Sequence, residues 1–313
     1  MKKALVTGSS GFIGKYLVSE LESNGYKVLK CDIQSGDSTE ALDILNQDMI
    51  QSILWDYMPD VIFNLAGQSN VGLSWKNPQQ TVLLNTIGVI NILESVKIVN
   101  PKIKVVVMGS SDEYGYQKES SIHITEKAPL LPMTPYAISK QSQELFAQLY
   151  VKSFGLDVRM IRQFNIGGAG QMKGFMLSDF ASGIAEIEAG EKQYLDVGNL
   201  ESARDYTHVK DACLAIRLIA EKGHKGEVYN ICSGKAVSAK EILNKMIELA
   251  KVKIDVVQND NRIRPNDTPI ICGDYGKLSN HTGWMPKYTW EDIVVDVMEY
   301  WRIQVEKRQR RVR

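Results

Sequence analysis

The sequence predicts an α/β protein built on a doubly wound parallel sheet, with a smaller mixed α/β region toward the C-terminus. Over the first two-thirds of the chain, short apolar runs such as 4–6, 60–65 and 104–108 alternate with helical patterns. Such runs are typical of strands that are buried on both faces and joined by right-handed helical crossovers. After Asn165 the pattern changes to short strands, helices and loops rich in Asn, Asp and Pro.

Each predicted element follows from its apolar period and its end signals. Strands are expected at 4–6, 27–31, 60–65, 104–108 and 157–162, and helices at 13–24, 82–99 and 135–154. Farther along, Ser238 is expected to cap a helix that reaches residue 251, and 259–269 is expected to be a loop. The chain is expected to return to the main sheet over residues 209–232.

The composition indicates few special partners. Lys plus Arg and Asp plus Glu number 37 each, so nothing points to a nucleic-acid or membrane partner. We interpret the basic tail over 302–313 as a frayed, solvated helix end, with contact to an anionic surface as the alternative. The four cysteines lack metal or disulfide spacing, and neither a leader nor a membrane-spanning run is expected. A cytoplasmic protein with reduced thiols and no bound metal is therefore expected.

A glycine-rich turn follows the first predicted strand and opens the first predicted helix. Its glycines are Gly8, Gly11 and Gly14. Glycine lets the chain turn tightly and lets backbone N–H groups and the positive end of the helix dipole approach a pyrophosphate. Because the turn lies between a strand and a helix, we expect it, together with Phe12 and Ile13, to bind a dinucleotide.

An acidic residue after the second predicted strand indicates which dinucleotide is bound. A carboxylate at Asp32 can accept hydrogen bonds from both hydroxyls of the adenosine ribose and would repel a 2′-phosphate. NAD, as NADH for reduction, is therefore expected rather than NADP, with a solvated loop position as the alternative for Asp32. Weaker patterns place five residues beside the adenine and the middle of the cofactor: Asp43, Ile44, Leu65, Ala66 and Gly67.

A tyrosine and a lysine share one face of a predicted helix. Tyr136 and Lys140 lie four residues apart, just after a Thr-Pro pair that suits a helix start. A buried phenol beside an ammonium, facing an oxidised nicotinamide, is expected to have a lowered pKa and to act as acid or base. The preceding strand ends at Ser110, whose hydroxyl can bond a carbonyl being reduced, with Ser111 as the alternative. A surface Tyr–Lys pair is the other interpretation.

These motifs together resemble the extended short-chain dehydrogenase/reductase family. The resemblance rests on the glycine turn, Asn85, Ser110 and the Tyr136/Lys140 pair, and it covers essentially the whole chain. It implies that Asn85, Tyr136 and Lys140 also contact the cofactor. It further implies homodimers built from two helices per subunit, over 78–99 and 136–154.

The same resemblance implies a division into two domains. An NAD-binding Rossmann domain is expected over residues 1–165, rejoined by the chain at about 209–232. A nucleotide-sugar-binding domain is expected over 166–208 and 233–313. The chain would then be an NAD-dependent oxidoreductase of nucleotide-sugar metabolism.

The second half of the chain is most similar to the GDP-mannose branch of this family, through 164–171, 197–206 and 264–267. Within that branch, 109–115 is most similar to the 4-keto reductases. The resemblance implies hydride transfer from NADH to carbon 4 of GDP-4-keto-6-deoxy-mannose, which gives GDP-rhamnose. Arginine forks suit phosphate oxygens, although a surface ion pair is the alternative. Six residues are expected to contact the substrate: Ser111, Asp112, Asn165, Asn199, Arg204 and Arg264.

Several other functions remain open. A GDP-mannose 4,6-dehydratase needs a carboxylate base near carbon 5, and the resemblance implies a Glu for this task two positions before the Tyr-Gly pair, where this chain has the shorter Asp112. Glu113 follows it and should point elsewhere on a strand-like segment. A 4-epimerase and a reductase of a GDP-linked keto-deoxy-heptose are also open, because 166–168 lacks the His and Pro expected of closer reductase relatives. A non-catalytic NAD-sensing protein would be expected to lack part of the Ser/Tyr/Lys set, which is complete here.

Overall fold

Strands and helices alternate through the computed structural model, which describes residues 1–36, 38–117, 123–259 and 269–312. The strands are β1 (Lys2–Thr7), β2 (Tyr26–Asp32), β3 (Glu40–Ala41), β4 (Val61–Asn64), β5 (Lys104–Ser110), β6 (Val158–Gln163), β7 (Asn165–Gly167), β8 (Leu195–Val197), β9 (Ala203–His208), β10 (Val228–Ile231), β11 (Ala236–Ser238), β12 (Val256–Gln258) and β13 (Ile270–Ile271).

The α-helices are α1 (Phe12–Ser23), α2 (Gln47–Tyr57), α3 (Val71–Lys76), α4 (Pro78–Val82), α5 (Gly88–Val99), α6 (Pro135–Phe154), α7 (Met176–Glu188), α8 (Val209–Lys222), α9 (Ala239–Glu248), α10 (Gly276–Thr282) and α11 (Trp290–Val312). A π-helical turn, Leu83–Ile87, joins α4 to α5, and one 3₁₀ turn, Ser111–Tyr114, follows β5.

Seven strands form one parallel sheet in the order β10-β6-β5-β4-β1-β2-β3. The order runs outward from β1 in both directions, which is the doubly wound arrangement, and it confirms the predicted fold class. Helices α1 and α8 pack on one face of the sheet, while α2, α5 and α6 pack on the other. The carboxyl ends of all seven strands therefore meet at one edge, between the two helical layers.

The smaller part of the molecule has two small sheets and a core of its own. Strand β9 pairs with β7 and β13 in parallel and with β11 in antiparallel orientation, and β12 pairs with β8. Apolar side chains of α7, α9 and α11, such as Leu177, Met246 and Val297, form a separate cluster. Strand β10 belongs to the main sheet, whereas the residues at which the two domains divide stay a prediction.

Three local expectations differ from the structure. The segment after Ser110 is a 3₁₀ turn and not strand-like, because Ser110 and Glu113 form a capping box around it. Helix α9 ends at Glu248, earlier than expected. The basic tail continues α11 and is not frayed, because Arg302 and Arg308 form ion pairs with Glu188 and Glu191.

One described helix, the continuous stretch Pro78–Val99, is long and apolar enough to cross a membrane by length and composition alone. Its most apolar 18-residue window has a mean hydropathy of 1.7, and half of that window is buried inside the protein. The core helix of a sheet protein meets the same test, and α5 contributes Ile92, Leu93 and Val96 to the core.

A buried ion pair ties α6 to the sheet. Arg162 on β6 donates from Nε to Glu144 Oε2 at 2.9 Å and from Nη2 to Glu144 Oε1 at 2.6 Å. Both residues are buried, and the guanidinium also donates to the hydroxyl of Tyr114 at 3.0 Å. Such two-point pairing is geometrically specific, so it fixes the rotation of α6 as well as its position.

We expect Arg162→Met to lower the free energy of unfolding by about 3–5 kcal/mol, because it leaves the Glu144 carboxylate buried without a cation. The double variant Arg162→Met/Glu144→Leu should recover most of this loss, since it also removes the carboxylate that the single variant leaves without its cation. Urea denaturation followed by circular dichroism measures both. Wild-type stability of the single variant would show that the pair does not bear on stability.

Candidate active site

The glycine turn between β1 and α1 leaves no space for side chains. A Cβ at Gly14 would lie 2.2 Å from the carbonyl oxygen of Gly8. Gly8 has a φ of +65°, and a Cβ there would lie 2.9 Å from the backbone nitrogen of Ala66. Gly11 caps the N-terminus of α1 without a side chain. The bare turn and the uncovered helix start fit a dinucleotide pyrophosphate.

Asp32 closes β2 beside this turn. One carboxylate oxygen accepts from the N–H of Ser10 at 2.9 Å and the other from the N–H of Ile33 at 2.8 Å. A cavity of about 210 Å³ opens here, and no cation is among the residues described as lining it: Ser10, Asp32, Ile33, Gln34, Ser35, Gly36 and Thr39.

The other predicted cofactor residues lie along the same edge of the sheet. Phe12 packs edge-to-face on Tyr16, and the carbonyl of Ile13 faces the Cys213 thiol. Asp43 accepts from the N–H of Leu45. The side chain of Ile44 is buried and packs against Gly88.

Asn85 lies in the π-helical turn between α4 and α5, and it joins two parts of the site. Its side chain exchanges hydrogen bonds with the backbone of Gln68, at 2.8 and 3.0 Å, and donates to Ser139 Oγ at 2.9 Å. A Cβ at Gly67 would lie 2.7 Å from Asn85 Oδ1 and 3.9 Å from the Lys140 ammonium. The loop after β4, which begins with Leu65, is thereby held against α6. Such π-turns often mark functional positions.

The structure brings Ser110, Tyr136 and Lys140 together where β5 meets α6. Thr134 caps α6 through a 3.0 Å bond from the N–H of Ala137, and Pro135 occupies the first turn. Lys140 donates from Nζ to the carbonyl of Met108 at 2.8 Å and lies 5.9 Å from the centre of the Tyr136 ring. The Ser110 hydroxyl lies close enough to the Tyr136 hydroxyl to lower its pKa. All three residues are buried.

The electrostatics of Tyr136 differ from the expectation of a lowered pKa. Burial raises the pKa of the Tyr136 hydroxyl, the charge of Asp112 raises it further, and the nearby Ser110 hydroxyl lowers it. The expectation was made for a phenol that faces an oxidised nicotinamide, and for that state it stays a prediction; in the protein by itself, Lys140 donates to the carbonyl of Met108. Burial also lowers the pKa of Lys140 to about 8.

A buried acidic residue, absent from the predicted set, touches this group. Glu113 accepts from the N–H of Ser110 at 2.8 Å and is completely buried. Burial and the charge of Glu144 raise the pKa of Glu113. The Ser-x-x-Glu spacing of Ser110 and Glu113 is the sequence signal of a capping box, and it could have identified the contact.

The predicted substrate residues are spread over several elements. Ser111 is buried in the 3₁₀ turn. Asn165 is exposed at the start of β7 and pairs with Tyr206 on β9. Asn199 accepts from the N–H of Glu201, and Arg204, also on β9, is half-buried. Arg264 lies outside the described residues.

Comparison with known proteins identifies the family. The model of the GDP-mannose 4,6 dehydratase family matches residues 5–297, nearly the whole chain. The chain belongs to this family. The resemblance to the extended short-chain dehydrogenase/reductases, and to their GDP-mannose branch, is thereby confirmed.

Two relatives align with this chain over almost their full lengths. A GDP-6-deoxy-D-mannose reductase from Pseudomonas aeruginosa is 29% identical, over 98% of this chain and 99% of the relative. A GDP-6-deoxy-D-talose 4-dehydrogenase from Aggregatibacter actinomycetemcomitans is 31% identical, over 95% and 96%.

Solved structures agree with the fold. The structure of a protein named RMD from Pseudomonas aeruginosa, complexed with NADPH, has a TM-score of 0.88 and 28% identity, over 97% of this chain and all of that one. A UDP-glucose 4-epimerase from Thermotoga maritima, with UDP-glucose, has a TM-score of 0.87 and 25% identity, over 97% and 99%. The bare glycine turn and the Asp32 cavity fit the nicotinamide dinucleotides of such proteins.

Proposed function

We propose that this protein reduces the 4-keto group of a GDP-linked 6-deoxy sugar with NADH, with GDP-4-keto-6-deoxy-mannose as substrate and GDP-rhamnose as product. The observation that carries the proposal is the group of Ser110, Tyr136 and Lys140 at the carboxyl end of β5, beside a bare dinucleotide turn. The two relatives named for GDP-6-deoxy sugars support the same reaction class.

The glycine turn, Asp32 and Asn85 would hold the cofactor, which supplies a hydride equivalent when bound. Tyr136 then acts as the proton donor to the carbonyl oxygen. Its raised pKa suits this direction, because the hydroxyl stays protonated at neutral pH and needs only to donate. Ser110 bonds the same carbonyl oxygen. Lys140, held by Met108, places an ammonium behind the phenol and stabilises the phenolate that forms.

The placement of the acidic residues favours the reductase over the dehydratase. A dehydratase needs a carboxylate base that reaches the sugar. Glu113 points into the protein interior, against Ser110 N–H, so it is not available for that task. Asp112 is the carboxylate that lies near Tyr136, and it is shorter than glutamate. Asn165, Asn199, Arg204 and Arg264 are proposed to hold the GDP moiety, with Ser111 and Asp112 beside the sugar.

The first experiment follows NADH absorbance with enzymatically prepared GDP-4-keto-6-deoxy-mannose. We expect NADH consumption, and Tyr136→Phe should lower kcat by about 10²–10⁴-fold with little change in NADH affinity, since only the proton donor is lost. Fluorescence titration measures the affinity. Wild-type turnover in the Phe variant would remove Tyr136 from the role of acid.

The product and the alternative substrates complete this test. The sugars named for the two relatives, 6-deoxy-mannose and 6-deoxy-talose, differ only in configuration at carbon 4, so the product is analysed by NMR. Conversion of GDP-mannose to a keto sugar without net cofactor change would favour the dehydratase, with Asp112 as its base. Reduction of only the GDP-linked keto-deoxy-heptose would change the substrate and keep the reaction class.

The preference for NADH over NADPH is proposed from Asp32 and its cavity. The carboxylate would repel a 2′-phosphate, and no arginine or lysine is among the described residues that line the cavity. Asp32→Ala should weaken NADH binding by about 10- to 100-fold, the loss of a charged hydrogen bond, and weaken NADPH binding less. Dissociation constants from fluorescence titration decide the matter. Equal losses for the two cofactors would place Asp32 away from the ribose.

A homodimer is proposed from an uncovered apolar surface on two adjacent helices. Ile138, Leu145 and Leu149 are about half exposed and lie on one face of α6, beside Val82 and Leu83 at the end of α4. A contiguous apolar surface of this kind indicates a protein partner. Two copies that paired through this surface about a two-fold axis would bury the apolar side of Pro78–Val99 between them. We further propose a cytoplasmic location, where NADH and nucleotide sugars are supplied.

Leu149→Glu should shift the protein from dimer to the 35.1 kDa monomer, because it places a charge in the proposed interface. Sedimentation velocity measures the mass. Ile303→Glu, at a similarly exposed position on α11, is the matched control and should leave the mass unchanged. A wild-type monomer at micromolar concentration would contradict the dimer.

A further inference from the structure

Glu113 lies directly beneath the serine of the candidate active site. Its Oε1 accepts from the backbone N–H of Ser110 at 2.8 Å, and its side chain has no exposed surface. The chain makes room for this carboxyl, since a Cβ at Gly109 would lie 2.5 Å from Glu113 Oε1. Any larger residue at position 109 would therefore displace the glutamate.

This contact restricts the Ser110 hydroxyl as well as its backbone. The Ser110 Oγ accepts from the N–H of Asp112 at 3.2 Å, which completes the capping box of the 3₁₀ turn. The N–H of Asp112 donates to one lone pair of Ser110 Oγ. The hydroxyl proton of Ser110 can therefore point toward Tyr136 or a bound carbonyl. Glu113 thus anchors the peptide group that carries the serine.

Burying Glu113 is costly, and a helix cap does not require it. Its Oε2 has no hydrogen-bond partner within the described part of the chain, and the Nε of Arg162 is 3.9 Å away. The guanidinium of Arg162 is already engaged by Glu144. The same chain has a second capping box, Ser238 with Glu241, at the exposed start of α9. A capping box in this chain can thus form at the surface without a buried carboxyl, so capping alone does not explain why Glu113 is buried.

We propose that Glu113 is a positioning residue for the reduction: by holding the N–H of Ser110, it fixes the serine hydroxyl beside Tyr136. This inference rests on the proposed function. Glu113 itself does not touch the substrate or the cofactor. Its role is to reduce the freedom of Ser110, so that the carbonyl oxygen meets two oriented hydroxyl groups.

Two variants at one position separate this role from simple packing. Glu113→Met removes the acceptor for the N–H of Ser110, whereas Glu113→Gln keeps it. We expect the Met variant to lose about 10- to 100-fold in kcat, with KM for the sugar and NADH affinity nearly unchanged, as for a misplaced catalytic group. The Gln variant should recover most of that turnover. Glu241→Met, which breaks the exposed capping box, is the matched control and should keep wild-type kcat.

The pH profile supplies a readout that packing alone would not move. The titratable groups that interact with Glu113 are Tyr136, Lys140 and Glu144 on α6 and Arg162 on β6. Burial lowers the pKa of Lys140 and the Glu113 carboxylate raises it, and the two effects together place this pKa at about 8. Burial raises the pKa of Glu113 itself to about 8, so its carboxylate is charged at the alkaline end of the profile. Glu113→Gln removes that charge there, so the Lys140 pKa falls and the alkaline limb of kcat should shift to lower pH. An unshifted limb would contradict the proposed contact.

Amide hydrogen exchange tests the bond without any turnover. The Ser110 N–H should exchange faster in Glu113→Met than in the wild type, and at the wild-type rate in Glu113→Gln. Wild-type exchange or wild-type kcat in the Met variant, at a temperature where it is folded, would overturn the proposal. If the wild type reduces no GDP-keto sugar, the proposed function fails, while the exchange comparison still decides whether Glu113 holds Ser110.

Discussion

The site depends on the contact between α6 and the carboxyl end of β5. Lys140 Nζ and Gln143 Nε2 both donate to the carbonyl oxygen of Met108, at 2.8 and 2.7 Å. This carbonyl lies on a strand at the centre of the sheet, so the two donors replace water that burial removes. Because the two donors lie one and two turns after Tyr136, they set the height and rotation of the helix that carries the phenol.

Burial of charge around this contact has both a cost and a use. Arg162, Glu144, Glu113 and Lys140 are all buried where β5, β6 and α6 meet. Taking so many ionisable groups out of water is unfavourable for folding, and apolar side chains would pack there at lower cost. The same low-dielectric surroundings raise the pKa of Tyr136 and lower that of Lys140. The protonated phenol follows from the burial itself, whereas burial makes the Lys140 ammonium easier to deprotonate.

The dinucleotide region depends on the absence of side chains and not on buried charged groups. Gly8 and Gly14 let three pieces of backbone approach within distances that a Cβ would block. The positive φ of Gly8 adds a conformational reason for glycine at that position. Asp32 then bonds two backbone N–H groups at the start of the cavity, so its carboxylate is oriented before any ligand arrives.

The sequence by itself determined the doubly wound fold, the glycine turn, the helix carrying Tyr136 and Lys140, and the family. These features are local: an apolar run, a glycine spacing, or two residues one turn apart are each read within a few positions. The tertiary structure alone decided the rest. The raised pKa of Tyr136 could not be predicted, because it depends on burial and on Asp112, from a different element. The capping pattern of Ser110 and Glu113 was visible in the sequence, but its burial against Arg162 and Glu144 was not. That burial arises only when β5, β6 and α6 pack together, since contacts between distant segments are fixed by packing and not by local pattern.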